Sequence, residues 1–319
     1  MVVQGHEVRA LARKTSDCSN LKSLGTEIVF GDVQDYDSLR KAASGVDVVF
    51  HAAARVMPGW GAWSDYEATI VKGTENLLKA SVDAKISRFV YISSGVVLGK
   101  ACRGGVPADE TTQCEIVFTE DNYYDYAKHQ AEQMAIEYHR EGKLAVTVVR
   151  PCIVYGPRDR YITDRFHLLA SLPVFMWPGR GDHRAPLVYV TDVADSAIVA
   201  AMSQQAAGQV YNIAPLDDVR FSDFAAALVK AKGKAFRKWT VPMGLAYASG
   251  LVMEWWAKLW RFKEPPLFTR SGLRFFEEGM FIDGSKIVRE LGWKPKVSLD
   301  EGARLYVEWR RGQGKKKTT

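Results

Sequence analysis

The sequence predicts an α/β fold built on a doubly wound, parallel sheet, and three observations carry that expectation. Nearly continuous apolar runs recur along the first half, at Glu27 to Val33, Val46 to His51, Arg88 to Ser94 and Ala145 to Arg150, as strands covered on both faces require. Longer segments with helical periodicity separate them, near Asp65 to Val82 and Asp121 to Arg140, and strand alternating with helix makes a parallel sheet. Small and polar residues follow each run, where open parallel sheets hold their ligands.

Taken in order, Gly5 to Arg13 reads as a turn and a short strand, and Glu27 to Val33 as a strand ending in an acid, with a short helix at Ser38 to Ser44 after it. Just past the expected strands stand Arg13-Lys14, Asp32-Val33, His51-Ala52-Ala53-Ala54, Ser93-Ser94-Gly95 and Arg150-Pro151. The small residues at 52–54 and at Gly95 would let a flat ligand lie close to the backbone. Beyond Pro157 the elements shorten: Arg160 to Ser171, a strand at Leu187 to Val190, a helix from Asp192 to Ser203 and a strand at Val210 to Ile213. Asp192 and Ser222 read as helix N-caps.

At 319 residues with 47% apolar content, the chain can bury one large core or two moderate ones. Cys18, Cys102, Cys114 and Cys152 show neither metal nor disulfide spacing, so free thiols in a reducing compartment are expected and no metal is. The net charge of +6 falls partly in Arg310 to Lys317. That stretch reads as a disordered, solubilising end, because nucleic-acid binding would call for interleaved aromatics.

Chemistry centres on Asn122-Tyr123-Tyr124-Asp125-Tyr126-Ala127-Lys128, at the head of the helix near residues 121–140. Tyr124 and Lys128 are four apart, which puts both on one helix face with the ammonium near the phenol. A phenol titrates near ~10, and a neighbouring cation favours its ionised form. Such a pair suits moving a proton on or off an alcohol or carbonyl. Among 13 Tyr about one such spacing arises by chance, so a solvated Tyr and Lys is the competing reading.

The order and spacing of Asp32-Val33, His51-Ala52-Ala53, Val71 to Asn76, Tyr91-Ile92-Ser93-Ser94, Tyr124 to Lys128, Arg150-Pro151 to Pro157 and Val188 to Ala194 resemble the extended short-chain dehydrogenase/reductases. The resemblance runs from about residue 5 to 312. It implies a Rossmann-type region over 1–157, a smaller α/β substrate lobe over 158–312 and a basic tail at 313–319. It also implies that Tyr124 is the general acid or base, that Lys128 tunes it and holds the nicotinamide ribose, and that Ser94 binds the reacting oxygen. Cofactor contacts would then fall on Arg13, Lys14, Asp32, Val33, His51, Ala52, Ala53, Ser93, Lys128, Pro151 and Ile153, and substrate contacts on Trp60, Trp63, Gly95 and Val96. Arg13 and Lys14 stand where the family's NAD users commonly carry an acid, and a cation suits a 2′-phosphate. NADP(H) is therefore expected over NAD(H), which is not excluded.

Two departures stand out. The family's opening strand and glycine-rich turn, which seat the pyrophosphate at a helix N-terminus, have no counterpart here, and the expectation is a shortened start. The strands near Val8 and Ile28 would then pair across the gap with the one near Val48 or stand apart, since paired strands lie only ~4.8 Å from each other. Ile70 occupies a place where the family usually has Asn, and an apolar side chain cannot make the polar contact.

Trp239 to Trp260 carries the expectation for substrate. Met243 to Met253 is largely apolar, then Glu254-Trp255-Trp256-Ala257-Lys258 follows, with Glu254 and Lys258 spaced to pair. The segment is too short and charged to span a bilayer. It reads either as a buried lid or as a helix on a membrane face, with Trp255, Trp256 and Trp260 at the interface and Lys258, Arg261 and Lys263 near phosphates. This segment, Glu264 to Arg270 and Met57-Pro58-Gly59-Trp60-Gly61-Ala62-Trp63 most resemble the 3β-hydroxysteroid dehydrogenase and dihydroflavonol reductase branch.

The expected function is NAD(P)-dependent interconversion of a secondary alcohol and a ketone on a bulky, apolar steroid, lipid or flavonoid. The alternatives are a nucleotide-sugar epimerase or dehydratase, which Arg184 disfavours by standing one residue out of register for a diphosphate, and a non-catalytic binding protein on the same scaffold. The expected partner is a small apolar substrate, without nucleic acid; a homodimer and peripheral membrane contact through 241–263 are further expectations, for a cytoplasmic protein able to lie on a membrane.

Overall fold

In the computed structural model, which describes residues 1–56, 60–262 and 264–316, the apolar runs become short parallel strands. β1 (Arg9–Ala12), α1 (Ser19–Ser23) and β2 (Glu27–Phe30) form the first unit. α2 (Tyr36–Ala43) follows, capped by the Asp35 carboxylate, which accepts from the amides of Asp37 and Ser38 and so satisfies donors that a helix start leaves unpaired. After β3 (Val48–His51), α3 (Trp63–Tyr66), a π-helical turn at Glu67–Lys72 and α4 (Gly73–Asp83) make one irregular helical run. β4 (Arg88–Ile92), α5 (Tyr123–Arg140) and β5 (Val146–Pro151) come next. The second half holds β6 (Ile153–Tyr155), α6 (Thr163–Leu169), β7 (Phe175–Pro178), β8 (Leu187–Tyr189), α7 (Val190–Met202), β9 (Val210–Ile213), α8 (Phe221–Ala231), β10 (Lys238–Val241), α9 (Met243–Leu259), α10 (Arg270–Glu278), α11 (Ser285–Leu291) and α12 (Leu299–Lys316).

The main sheet has the order β3-β4-β5-β9, all parallel, with His51 beside Tyr91 and Ile92 beside Val149. Because every strand runs the same way, His51, Ser93 and Pro151 emerge at one edge, where a ligand can meet them together. β1 and β2 stand apart as a separate two-stranded sheet and do not pair with β3. Contacts through the helices hold them. The Asn76 side-chain amide donates to the Val33 oxygen at 3.1 Å, and Arg9 donates to the Ala42 oxygen at 2.9 Å. Gly73 is needed in this seam, since a Cβ there would come within 2.9 Å of a Val33 methyl.

One core lies under α4 and α5, gathering Tyr66, Ile70, Leu78, Phe89, Tyr91 and Val148. A second, around Tyr155, Trp177, Phe221, Phe224 and Tyr306, joins β6, β7, α8 and α12. Ile70 is fully buried in the first, so the position that breaks the family's pattern is a packing position here.

Several expectations are corrected. Asp192 is not an N-cap; Tyr189 is, and the buried Asp192 carboxylate accepts from the Val297 amide at 3.0 Å. Ser222 lies inside the first turn of α8, capped at Arg220, and its hydroxyl donates to Asp182. The basic stretch at 310–316 continues α12 as helix and is not disordered. α9 is not a buried lid: only Ala246, Gly250 and Ala257 are buried in it. Glu254 turns away from Lys258 and pairs with Arg270 at 2.9 Å, because the start of α10 lies against it and also donates its Arg270 amide to the same carboxylate. Met57, Pro58, Gly59, Lys263 and residues 317–319 lie outside the described residues.

Candidate active site

Ser94 leaves β4 in extended conformation and caps the short turn Gly95–Leu98, its hydroxyl accepting from the Val96 amide at 3.4 Å. Tyr124 sits in the first turn of α5, with its phenol facing the Ser94 side chain closely enough for that hydroxyl to lower the phenol's pKa. Burial, and then the charge of the adjacent Asp125, work the other way and hold that phenol above its ordinary value. At neutral pH it is therefore a protonated donor.

Lys128 is buried beneath this pair, but its ammonium donates to the Ile92 carbonyl at 2.5 Å and lies 4.3 Å from the Tyr91 ring centroid. The coupling to the phenol expected from the i,i+4 spacing is replaced by this contact, because a buried ammonium takes the acceptor that the strand end offers. Burial lowers its pKa to about 7, with the Glu132 carboxylate pulling the other way. Glu132 itself is clamped by Arg150, with guanidinium-to-carboxylate distances of 2.5 and 3.0 Å.

The remaining expected residues divide into two groups. Ser93, Gly95 and Val96 adjoin the pair in sequence and space. The Ser93 hydroxyl is buried without a partner, a donor available to a ligand. A Cβ on Gly95 would lie 2.9 Å from the Ile282 Cδ1 and 3.3 Å from the Cys152 sulfur, so the floor of the cleft is apolar and closely packed. Trp63 packs on Phe118 and Tyr126 at ring separations of 5.1 and 5.7 Å, forming an aromatic wall beside Tyr124. Trp60 offers its main-chain oxygen to the Tyr66 hydroxyl at 2.7 Å.

Away from this centre, Arg13 and Lys14 are exposed at the end of β1, and Ala52 and Ala53 are exposed after β3. Asp32 accepts from the Gln34 amide at 3.0 Å and Val33 is buried against Gly73. The His51 imidazole faces inward, 2.9 Å from the Thr74 hydroxyl, and burial followed by Lys128 lowers its pKa to about 3. It is neutral, and only its main chain borders the cleft edge. Pro151 and Ile153 are buried, Ile153 pairing with Leu187.

Sequence reasoning gave no role to Asp125, although it stands inside the Tyr124-to-Lys128 stretch; burial lifts its carboxyl to about 7 against the pull of Arg103. It missed Phe118, which packs on Trp63 and Tyr126 and belongs to no spaced motif; only the fold of the 99–122 segment against α5 brings it in. Arg184 pairs with Asp218 at 2.8 Å and lies 3.9 Å from the Phe281 ring centroid, so its charge is already engaged.

These residues fit a nicotinamide cofactor in one respect that the geometry tests directly. An orphaned Ser93 hydroxyl and a buried ammonium with a lone carbonyl acceptor stand together at the carboxyl ends of parallel strands, where a ribose hydroxyl would find a donor and an acceptor.

Known proteins agree with this architecture. The chain is 26% identical over 314 residues to 2-alkyl-3-oxoalkanoate reductase of Shewanella oneidensis, covering 95% of this chain and 79% of that one. It is 30% identical over 326 residues to a putative dihydroflavonol 4-reductase of Synechocystis, covering 100% and 91%. UDP-glucuronic acid 4-epimerase of Bacillus cereus, solved with UDP-glucuronic acid and NAD, superposes with a TM-score of 0.74 over 97% of this chain and 92% of its own, at 20% identity, a likeness of fold. The profile of the NAD dependent epimerase/dehydratase family matches residues 1–214, two thirds of the chain, and to that family the chain belongs.

Proposed function

We propose that this chain is an NADP(H)-preferring oxidoreductase that interconverts a secondary alcohol and a ketone on a bulky, apolar substrate. The observation that carries the reading is the juxtaposition of two hydroxyls, Ser94 and Tyr124, with the buried Lys128 one turn along the same helix. A substrate oxygen accepting from both would be held for proton transfer. With its pKa raised, Tyr124 enters as the acid and donates to the oxygen as it gains negative charge. When bound, the nicotinamide supplies or accepts the hydride. Ser93 and Lys128 would hold its ribose, and exposed Arg13 and Lys14 a 2′-phosphate. The apolar floor at Gly95, Ile282 and Cys152 and the wall of Trp63 and Phe118 favour an apolar substrate. The engaged Arg184 weighs against a sugar diphosphate.

The test is titration with NADPH and NADH by nicotinamide fluorescence, followed by NADPH oxidation with steroid and long-chain keto substrates. Acid–base assistance is worth ~10²–10⁴-fold, so Tyr124→Phe should lose at least that much while retaining cofactor binding. Undiminished turnover by Tyr124→Phe would sink the assignment.

A further inference from the structure

α9 is packed the wrong way round for a helix in water. Its inward positions are small, Ala246, Gly250 and Ala257, and its outward positions are large: Leu245, Val252, Trp255, Trp256 and Leu259 are all exposed, Val252 by 63% and Trp255 by 60%. The outward residues recur at three- and four-residue steps, so they form one stripe. The small residues let α9 lie close on α10, where a Cβ on Gly250 would meet the Arg270 nitrogen and a Leu273 methyl at 3.5 Å. Trp260, Phe262 and, from β10, Trp239 extend the exposed apolar surface, and Trp256 lies 5.8 Å from Trp260. Patches of this kind on soluble chains mark interaction surfaces.

Charge identifies the occupant. The acid of α9, Glu254, is drawn inward by Arg270 and is 12% exposed. Lys258, Arg261, Arg237 and Lys238 are exposed around the stripe, and among the described residues none of the four has an acidic partner. Two copies meeting face to face through this surface would bring those cations together, whereas an anionic lipid surface complements them. Tryptophan is also the side chain that favours the headgroup boundary. No helix among the described residues is long and apolar enough to cross a membrane, so such a helix would lie in the plane of the interface.

We propose that the outward face of α9, with Trp239, Trp260 and Phe262, docks in the headgroup and acyl boundary of an anionic lipid bilayer. α10 connects this face to the catalytic cleft: it packs on α9, and its Arg274 pairs at 3.2 Å with Asp121 just before α5. A substrate dissolved in the bilayer would then approach the cleft without crossing bulk water; this last clause rests on the reductase reading, and lipid docking does not.

The experiment is co-sedimentation of the full chain with vesicles of phosphatidylcholine alone and of phosphatidylcholine with phosphatidylglycerol, with tryptophan quenching by brominated acyl chains as a second readout. Sedimentation with the anionic vesicles that weakens as salt rises, together with quenching, is the expected result. Val252→Glu combined with Trp255→Glu should weaken binding roughly tenfold or more, while Leu24→Ser, at an exposed apolar site elsewhere, should not. If the double variant fails to fold, quenching of the unaltered chain still decides. Absence of both sedimentation and quenching at low salt overturns the proposal. So does a lipid-free dimer that Trp255→Ser converts to monomer, which would show that a second copy covers the face.

Discussion

Lys128 and Ile92 are joined by a hydrogen bond of 2.5 Å from ammonium to main-chain oxygen, which keeps the lysine at the strand end although its spacing suits the phenol of Tyr124. The chain holds this cation buried with a pKa of about 7. Between that value and the ordinary 10.5, the unfolded chain binds a proton that the folded chain does not, so stability rises with pH across the window and the burial cost is felt in full below 7.

Lys128→Met should therefore stabilise the chain at pH 6, by roughly 1–3 kcal/mol, and flatten the rise between pH 7 and 10.5, while abolishing turnover. Urea unfolding at several pH values reads both effects. A lower midpoint than the parent at pH 6 would contradict the argument.

Asp125 carries the opposite sign. Its carboxyl is lifted to about 7 by burial, so between the ordinary carboxylate range and 7 the folded chain holds a proton that the unfolded chain releases, and stability falls as pH rises through that window. Its charge also raises the Tyr124 phenol. Asp125→Asn should lose less stability than the parent between pH 5 and 8, as read by urea unfolding at several pH values. An equal loss in the two would assign the fall to another group.

Those two residues also mark what the sequence made legible. The strand ends and the shared helix face of Tyr124 and Lys128 follow from periodicity and spacing, which are local, whereas the place of Ser94 beside Tyr124 came only with the family resemblance. The partner of Lys128 is a main-chain oxygen 36 residues away, and that of Glu254 is an arginine on another helix; spacing rules name neighbours on one helix and cannot weigh such competitors. The inverted face of α9 was open to two readings for the same reason, because an apolar helix looks alike in sequence whether it is covered by protein or left bare. Ile70 shows the reverse case: a departure from a family's pattern became intelligible once it was found fully buried beside Tyr66 and Phe89.

Arg13 and Lys14 give the cofactor prediction. Both are exposed where β1 ends, and a charge-assisted contact to phosphate is stronger than a neutral one. Arg13→Ala should weaken NADPH binding by about tenfold and leave NADH binding nearly unchanged, as measured by fluorescence titration of both. Equal losses for the two cofactors would mean that Arg13 supports the loop and does not read the phosphate.

The ion pair of Glu132 and Arg150 gives the stability prediction. Both side chains are almost fully buried, and one guanidinium nitrogen, Nη1, already lacks a partner. Removing one member leaves an unpaired charge in the core, which costs about 3–5 kcal/mol, whereas replacing both by apolar residues of similar volume is often neutral. Glu132→Ala should thus lower the unfolding free energy by about that amount, and Glu132→Met with Arg150→Met should recover most of it. Glu132 also supports the charged form of Lys128, so even a well-folded double variant should turn over more slowly, because its lysine is charged only at lower pH. Restored stability with restored turnover would separate Glu132 from the catalytic lysine and confine the pair to holding α5 against β5.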